Sequence, residues 1–185
     1  MSYQYGKGSE AWFVGMLPEL VLVFRRGLVI SYERGGPDWS IVDGLRSKAY
    51  LAELIKIGKS HNPNSAHLLQ PSGFAEAGDI RIYEGPGINP FPLKGDSPEV
   101  VRHKLGRFEE AASCICEAAD ELVFPYQWGN DWDVDGIPTG KDPDEKGFLQ
   151  DLVHHQKAPP HRVKAALARR EVRMAARARG ERIIT

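Results

Sequence analysis

Two segments that lie far apart in the sequence carry histidines and aspartates, and any fold of this chain must account for both. One segment holds His67 and Asp79, and the other holds Asp151 and His154. A zinc ion that activates water needs three nitrogen or oxygen ligands, an open fourth position and a nearby base that is not a ligand. His67, Asp79 and His154 can supply the ligands. Asp151 can supply the base, so the sequence predicts that the two segments meet.

The spacing within each segment limits its local structure. Asp151 and His154 are three positions apart, so on a helical turn or a tight bend both side chains point the same way. His67 and Asp79 are twelve positions apart, which is too far for one helical face. They converge only if the residues between them form a loop, and Gln70-Pro-Ser-Gly73 is typical of a turn.

The sequence Asp-Ile-Arg-Ile that starts at Asp79 alternates between polar and apolar side chains. This pattern predicts a strand with Ile80 and Ile82 on one face and Asp79 on the other. The residues alone also allow a second interpretation, in which His67 caps a turn, Asp79 sits at a sheet edge and His154 lies on the surface.

Apolar periodicity predicts the remaining elements. They are helices over residues 18–28 and 48–57, a strand over 39–42 and a long helix that Ser97 caps. In the second helix, Leu51, Leu54 and Ile55 are predicted to face the core. Together these elements indicate an α+β fold, with a small central antiparallel sheet that carries the ligands, helices that flank it and a basic helix at the C-terminus.

The C-terminal tail differs in charge from the rest of the chain. From Lys157 onward there are nine lysines and arginines against two glutamates. Residues 161–179 are predicted to form a helix in which an apolar stripe runs along one side; its members are Val163, Leu167, Met174 and Ala178. Such a helix can bind an anionic envelope surface or dock on the acidic core. Nucleic acid is not expected as a partner, because no aromatic residues alternate with the arginines.

Composition fits one compact domain with an appendage: 42% of the 185 residues are hydrophobic. No apolar run reaches the about 18 residues that a transmembrane helix needs. The N-terminus shows no secretory signal pattern, so we expect a cytoplasmic protein. Cys114 and Cys116 are expected to be reduced and structural, because they lie two positions apart in a predicted helix.

An acidic segment in the last third of the chain partly matches a calcium loop. Asp131, Asp133 and Asp135 alternate, and Gly136 follows them. Position twelve of an EF-hand loop counted from Asp131 is Asp142 rather than the glutamate that calcium requires there. The sequence therefore favours a variable loop and leaves calcium binding open.

Six blocks of the sequence, taken in order, resemble one family of enzymes. The blocks are LPELV (17–21), WSIVDGLRS (39–47), GKS with NSAHL (58–60 and 64–68), AEAGDI (75–80), YQWGNDWD (126–133) and FLQDLVH (148–154). They are similar to those of the VanY-type D-alanyl-D-alanine carboxypeptidase zinc metallopeptidases, and most of all to the phage endolysins of that superfamily that cut L-alanyl-D-glutamate bonds in peptidoglycan. The resemblance covers about residues 9–156.

The chain departs from the family pattern at three places. The gap between His67 and Asp79 is longer than usual, Asn130 replaces a glycine, and His155 stands where an aromatic residue usually follows the last ligand. None of these changes removes a ligand or the base. Neighbouring side chains of an extended segment point to opposite faces, so His155 is expected to point away from the metal.

The resemblance implies a role for each site residue. His67, Asp79 and His154 would bind Zn²⁺, and Asp151 would be the general base. Arg46 would stabilise the oxyanion that forms on the scissile carbonyl and contact the substrate. Ser65 would bind substrate or support His67. From the residues alone, Arg46 can instead pair with Asp43 or Glu53 on the surface, and Ser65 can cap a turn.

The resemblance also implies a function. The chain would hydrolyse the L-Ala–D-Glu bond of the stem peptide and lyse a bacterial host, acting in the periplasm after a holin releases it from the host cytoplasm. Two alternatives stay open: a peptidase for D-Ala–D-Ala termini with the same chemistry, and a non-catalytic module that binds cell wall. We expect a monomer with a peptidase domain at 1–157 and a basic helical tail at 158–185.

Overall fold

A four-stranded antiparallel sheet lies at the centre of the computed structural model, which describes residues 2–131 and 151–181. The strands are β1 (Asp38–Asp43), β2 (Ala77–Tyr83), β3 (Tyr126–Trp128) and β4 (His154–Lys157), in the spatial order β1-β2-β4-β3. The helices in the described ranges are α1 (Lys7–Phe13), α2 (Pro18–Glu33), α3 (Lys48–Lys56), α4 (Pro98–Glu121) and α5 (Val163–Ala178). The predicted α+β class is confirmed.

The core lies between one face of the sheet and the helix pair α2 and α4. Phe24 and Leu20 on α2 and Phe108 on α4 are fully buried, and they pack with the inward isoleucines of β2. The two helices approach closely at Gly27, where a Cβ would lie 3.0 Å from the Cα of Ile115. Ser97 caps α4 as predicted, because its hydroxyl accepts a hydrogen bond from the Val100 N–H.

Alternation along β2 and β4 decides which side chains reach the core. Ile80 and Ile82 are buried beneath the sheet, whereas Asp79 lies on the opposite face, as the sequence predicted. On β4, His154 lies on the same face as Asp79. His155 lies on the inner face, and its ring stacks with those of Tyr126 and Trp128. The prediction that it points away from His154 is confirmed.

The prediction for α3 is wrong in part. Leu51 is buried, but Leu54 is only half-buried and Ile55 is 38% exposed. On a helix, Leu54 and Ile55 lie about 60° and 40° to either side of Leu51. The core covers the centre of this short helix and leaves its flanks open to solvent.

The C-terminal helix α5 packs against the core with a basic face. Ala166, Arg173 and Ala176 are its buried residues, whereas Met174 is 38% exposed. Arg173 donates two hydrogen bonds to the carboxylate of Asp120 near the end of α4, at 2.9 and 2.7 Å. The predicted helix is confirmed. Of its apolar stripe, Val163 packs against Ala158 and Ala166, whereas Met174 and Ala178 are exposed, because the buried Arg173–Asp120 ion pair turns a neighbouring face of the helix inward.

The remaining predictions concern the acidic segment, membrane-spanning helices and the boundary of the tail. Most of the acidic segment considered as a calcium loop, residues 132–150, lies outside the described residues. Within 2–131 and 151–181, no helix combines the length and the apolar character needed to cross a lipid bilayer. The division between residues 157 and 158 stays a prediction.

Candidate metal centre

Strand pairing brings two of the predicted ligands together. β2 and β4 are antiparallel neighbours, and Asp79 is directly opposite His154 in their register. Side chains at opposed positions on one face of such a pair lie close enough to touch. Asp79 and His154 are 75 positions apart in the sequence, but the pairing of β2 and β4 places them directly opposite each other.

His67 reaches the same place from the loop that precedes β2. This loop is fixed at both ends by backbone hydrogen bonds, from Arg46 N–H to the His67 carbonyl at 2.8 Å and from Glu76 N–H to the Ala66 carbonyl at 2.9 Å. Its turn is the predicted one: Gly73 N–H donates to the Gln70 carbonyl at 2.9 Å. Gly73 has a φ of +84°, a conformation that glycine adopts without strain.

The three predicted ligands converge on one point. His67 Nε2 and His154 Nδ1 each lie 3.1 Å from Asp79 Oδ1, and the two ring nitrogens are 3.2 Å apart. His67 is 1% exposed and His154 is 8% exposed. Among the described residues, these three form a group whose ligand atoms are placed to bind one metal ion.

The second ring nitrogen of His67 has its own partner. Nδ1 lies 2.8 Å from the Gly44 carbonyl oxygen, which can only accept a hydrogen bond. Nδ1 therefore carries a proton, and in the neutral form of His67 the lone pair of Nε2 faces Asp79 and His154. Gly44 itself must be glycine, because a Cβ there would overlap the Trp12 carbonyl oxygen.

Arg46 holds the remaining oxygen of the Asp79 carboxylate. Its Nη2 donates to Asp79 Oδ2 at 2.8 Å, and its Nε donates to Asp43 Oδ2 at 3.0 Å. The ion pair with Asp43 considered from the sequence is therefore present, but the side chain is only 11% exposed rather than on the surface. The pairing leaves Asp79 Oδ1 to the two imidazoles.

Ser65 is buried beside His67. Its hydroxyl accepts a hydrogen bond from the His67 N–H at 3.3 Å, which is the turn-capping contact. It also lines the same cavity as the three ligands. Ser65 therefore both hydrogen-bonds to the backbone of His67 and forms part of the cavity wall.

Asp151 lies in the turn that leads into β4. The His154 N–H donates to the Asp151 carbonyl at 3.3 Å, so the predicted tight bend is the observed structure. Gly129 makes room for this turn, since a Cβ there would lie 2.7 Å from the Asp151 carbonyl oxygen and 2.9 Å from the His154 Cβ. Asp151 lines the cavity together with Arg46.

Burial and neighbouring charges shift the pKa values of these groups in different directions. Burial acts to raise the pKa of Asp79, but the charge of His67 and hydrogen bonds from both imidazoles hold it well below its usual range. Burial acts to lower the pKa of His154, but its bond to Asp79 and the nearby carboxylates raise it to about 9. For Asp151, burial is the largest cause and the pKa is raised.

The cavity over the metal centre has a volume of about 590 Å³. Its walls come from the loop before His67, from β4 and from the start of the tail. The polar wall residues beyond the predicted site are Lys59, Ser60, His61, Asn62, Asn64, Gln70, Glu76, Gln156 and Lys157. A cavity with many polar side chains and converging ligands suits a polar substrate such as a peptide.

Sequence reasoning missed several residues that build the centre. Gly44 and Gly129 lie inside the quoted blocks, but their roles depend on contacts between elements. Gln156, which lies 2.9 Å from His154 Nε2, was also missed. A signal for it existed, because residues two positions apart on a strand share one face.

Comparisons with known proteins identify the family of this chain. Residues 1–155 match the family model described as phage L-alanyl-D-glutamate peptidase. The chain is 29% identical over 136 residues to the L-alanyl-D-glutamate peptidase of Escherichia phage T5, which covers 74% of this chain and 86% of that protein.

A solved structure shares the fold. The crystal structure of the L-Ala D-Glu endopeptidase ChiX of Serratia marcescens superposes with a TM-score of 0.53 at 22% identity, over 83% of this chain and 90% of that one. The family model spans most of the sequence, and the matched range contains the three predicted ligands and the predicted base. The chain therefore belongs to the phage L-alanyl-D-glutamate peptidase family.

Proposed function

We propose that this chain is a zinc-dependent peptidase that hydrolyses the L-alanyl-D-glutamate bond of peptidoglycan. The observation that carries the proposal is the convergence of His67 Nε2, His154 Nδ1 and Asp79 Oδ1 at separations of 3.1–3.2 Å. Family membership supports the bond, since the relatives that it matches are named for that activity.

The donor set and its spacing fit zinc. Two imidazole nitrogens and one carboxylate oxygen form the three-ligand set of many catalytic zinc sites. Ligand atoms about 2.0–2.1 Å from a tetrahedral zinc ion lie roughly 3.3 Å from one another. The observed separations are close to that edge length. Bound zinc supplies Lewis acidity, which polarises a carbonyl and makes water more acidic near neutral pH.

Asp151 is suited to move the proton. It lines the cavity beside His154, and burial raises its pKa toward the range in which a carboxyl group can both accept and donate. In hydrolysis, Asp151 takes a proton from the attacking water and delivers it to the amine of the leaving D-glutamate. The bond between the L-alanyl carbonyl carbon and that nitrogen breaks, and water supplies the hydroxyl group of the new carboxylate.

Arg46 is suited to bind charge in the same cavity. Its Nε and Nη2 are engaged by Asp43 and Asp79, which fixes the guanidinium plane. Arg46 lines the cavity, and a rigid, permanently charged group there stabilises negative charge as it develops on the carbonyl oxygen. Ser65 supports His67 through the backbone and contributes a wall for the substrate.

The proposal extends to where the enzyme acts. We place it in the host cytoplasm until a holin releases it, and then as a monomer on the cell wall. Three arginines of the tail are used inside the fold: Arg173 and Arg177 pair with Asp120, and Arg170 donates to the Asp120 carbonyl. The tail is therefore proposed mainly to support the core.

Product analysis tests the proposal. Purified peptidoglycan is treated with the zinc-loaded protein, with and without a chelator, and the products are identified by mass spectrometry. New N-terminal D-glutamate that disappears with chelator is the expected result. Release of free D-alanine would assign the carboxypeptidase activity instead, and binding without any cleavage would indicate a non-catalytic module.

A further inference from the structure

We infer that Gln156 and Gln127 are positioning residues that fix the tautomer and ring orientation of His154, so that Nδ1 is the atom presented to the metal. The inference rests on the proposed function for its metal, and on the side-chain contacts of β3 and β4 for its geometry. Neither glutamine belongs to the ligand set.

A chain of hydrogen bonds leads from the metal centre into the sheet. His154 Nε2 lies 2.9 Å from Gln156 Oε1, and Gln156 Nε2 donates to Gln127 Oε1 at 2.6 Å. An amide oxygen only accepts, so His154 Nε2 must donate. In the neutral form of His154 that binds a metal, the proton then sits on Nε2, and the lone pair of Nδ1 faces Asp79 and His67.

The other histidine ligand has the same arrangement in its neutral form. His67 Nδ1 donates to the Gly44 carbonyl, so His67 Nε2 is an acceptor directed at His154 Nδ1 at 3.2 Å. Two facing lone pairs and the Asp79 oxygen form a site for a cation. The two imidazoles thus offer different nitrogens, and an oxygen acceptor holds the opposite nitrogen of each.

The sheet register makes the arrangement rigid. Gln127 and Gln156 are opposite one another in the β3–β4 pair, and Gln156 is two positions after His154, so all three side chains leave the same face. His155, between the two β4 residues, anchors the strand from the other face by stacking with Trp128. The orientation of His154 is therefore set by strands rather than by a loop.

Burial explains why the two glutamines are hydrogen-bonded to each other. Gln127 is 2% exposed, and a buried amide without a partner is unfavourable. An apolar residue would fill this interior position more simply. A pair of amides that ends on a metal ligand is explained if the pair orients that ligand.

Substitution of Gln156 tests the inference through zinc affinity. Gln156→Met keeps the length of the side chain and removes the oxygen acceptor, and we expect zinc to bind about 10–100-fold more weakly in competition with a chromogenic chelator. Gln156→Glu keeps an acceptor, and we expect affinity equal to or tighter than that of the parent. Asn64→Asp, which adds the same charge to another wall of the cavity, is the control and should leave affinity unchanged.

A second readout does not depend on zinc. The Nε2–H proton of His154, observed by ¹H–¹⁵N NMR without metal, should be protected from solvent exchange in the parent and unprotected in Gln156→Met. Parent-like zinc affinity and a protected Nε2–H in folded Gln156→Met would overturn the inference, as would loss of affinity in Gln156→Glu. If the parent protein binds no zinc but its Nε2–H is protected and Gln156→Met abolishes that protection, the proposed metal fails and the positioning role stands.

Discussion

Two buried clusters of charged side chains lie on opposite sides of this molecule, and they are built for different purposes. Between α4 and α5, Asp120 is 1% exposed and its carboxylate is bound by Arg173 and Arg177. On the outer face of the sheet, Asp79 is bound by His67 and His154. Both clusters join elements distant in sequence around one carboxylate.

The clusters differ in what their atoms present to one another. In the α4–α5 cluster, guanidinium donors meet carboxylate acceptors, so charge and hydrogen bonding are satisfied within the cluster. At the metal centre, two ring nitrogens face each other 3.2 Å apart beside a carboxylate oxygen. When both imidazoles are neutral, these atoms are acceptors that converge on one point and can bind a cation. Burial of charge alone therefore does not identify a functional site, whereas converging acceptors beside a cavity do.

Of the changes considered, loss of a metal ligand should have the largest effect on zinc content and turnover. We expect His154→Ala to lose both bound zinc and turnover, because only two ligands remain. Zinc content is measured by atomic emission and turnover by release of new amino groups. His61→Ala, in the same cavity but outside the ligand group, is the matched histidine control and should retain zinc. A His154→Ala protein with full zinc occupancy would contradict the assignment.

Loss of the base should separate metal binding from chemistry. We expect Asp151→Ala to keep zinc while turnover falls by about 10²–10⁴-fold, the usual contribution of a general acid–base group. The same zinc and amino-group assays measure both quantities in one preparation. An Asp151→Ala enzyme with the activity of the parent would refute the role assigned to Asp151.

Breaking the second cluster should change stability rather than chemistry. Asp120→Ala leaves Arg173 buried without its counterion, and we expect the free energy of unfolding in urea to fall by about 3–5 kcal/mol. Zinc affinity of the folded fraction should stay that of the parent. If Asp120→Ala instead reduced zinc affinity with no loss of stability, the two clusters would not be independent.

The outer arginine of that cluster should matter less than its buried neighbour. Arg177 is 19% exposed at its side chain, compared with 5% for Arg173. We expect Arg177→Ala to lower the free energy of unfolding by about 1–2 kcal/mol, below the effect of Asp120→Ala. Arg25→Ala breaks an exposed ion pair with Glu10 and is the control, with an expected change of about 0–1 kcal/mol.

The metal centre could be predicted from the sequence because its signals are local. The side-chain types of His67, Asp79 and His154 made them candidate ligands. The alternation of residues 79–82 predicted that Asp79 lies on the face opposite Ile80. The order of the six blocks then pointed to one family. The short strands β3 and β4 and the helix α1 were not predicted, since three to seven residues carry little periodic signal.

The remaining features depend on distant contacts that no local pattern contains. The inward face of α5 is set largely by Asp120, which lies 53 positions before Arg173, so the apolar pattern of the helix does not identify that face. Gln156 contacts His154, and strand register places Gln127 of β3 opposite Gln156. Both require knowing which elements are neighbours, which spacing alone does not give.

The most direct test of the metal assignment is a crystal structure of the zinc-loaded protein with diffraction data collected on both sides of the zinc absorption edge. The account predicts one anomalous peak per chain, about 2.0–2.2 Å from His67 Nε2, His154 Nδ1 and Asp79 Oδ1. A peak at other side chains, or no peak at this position in protein that cleaves peptidoglycan, would contradict it.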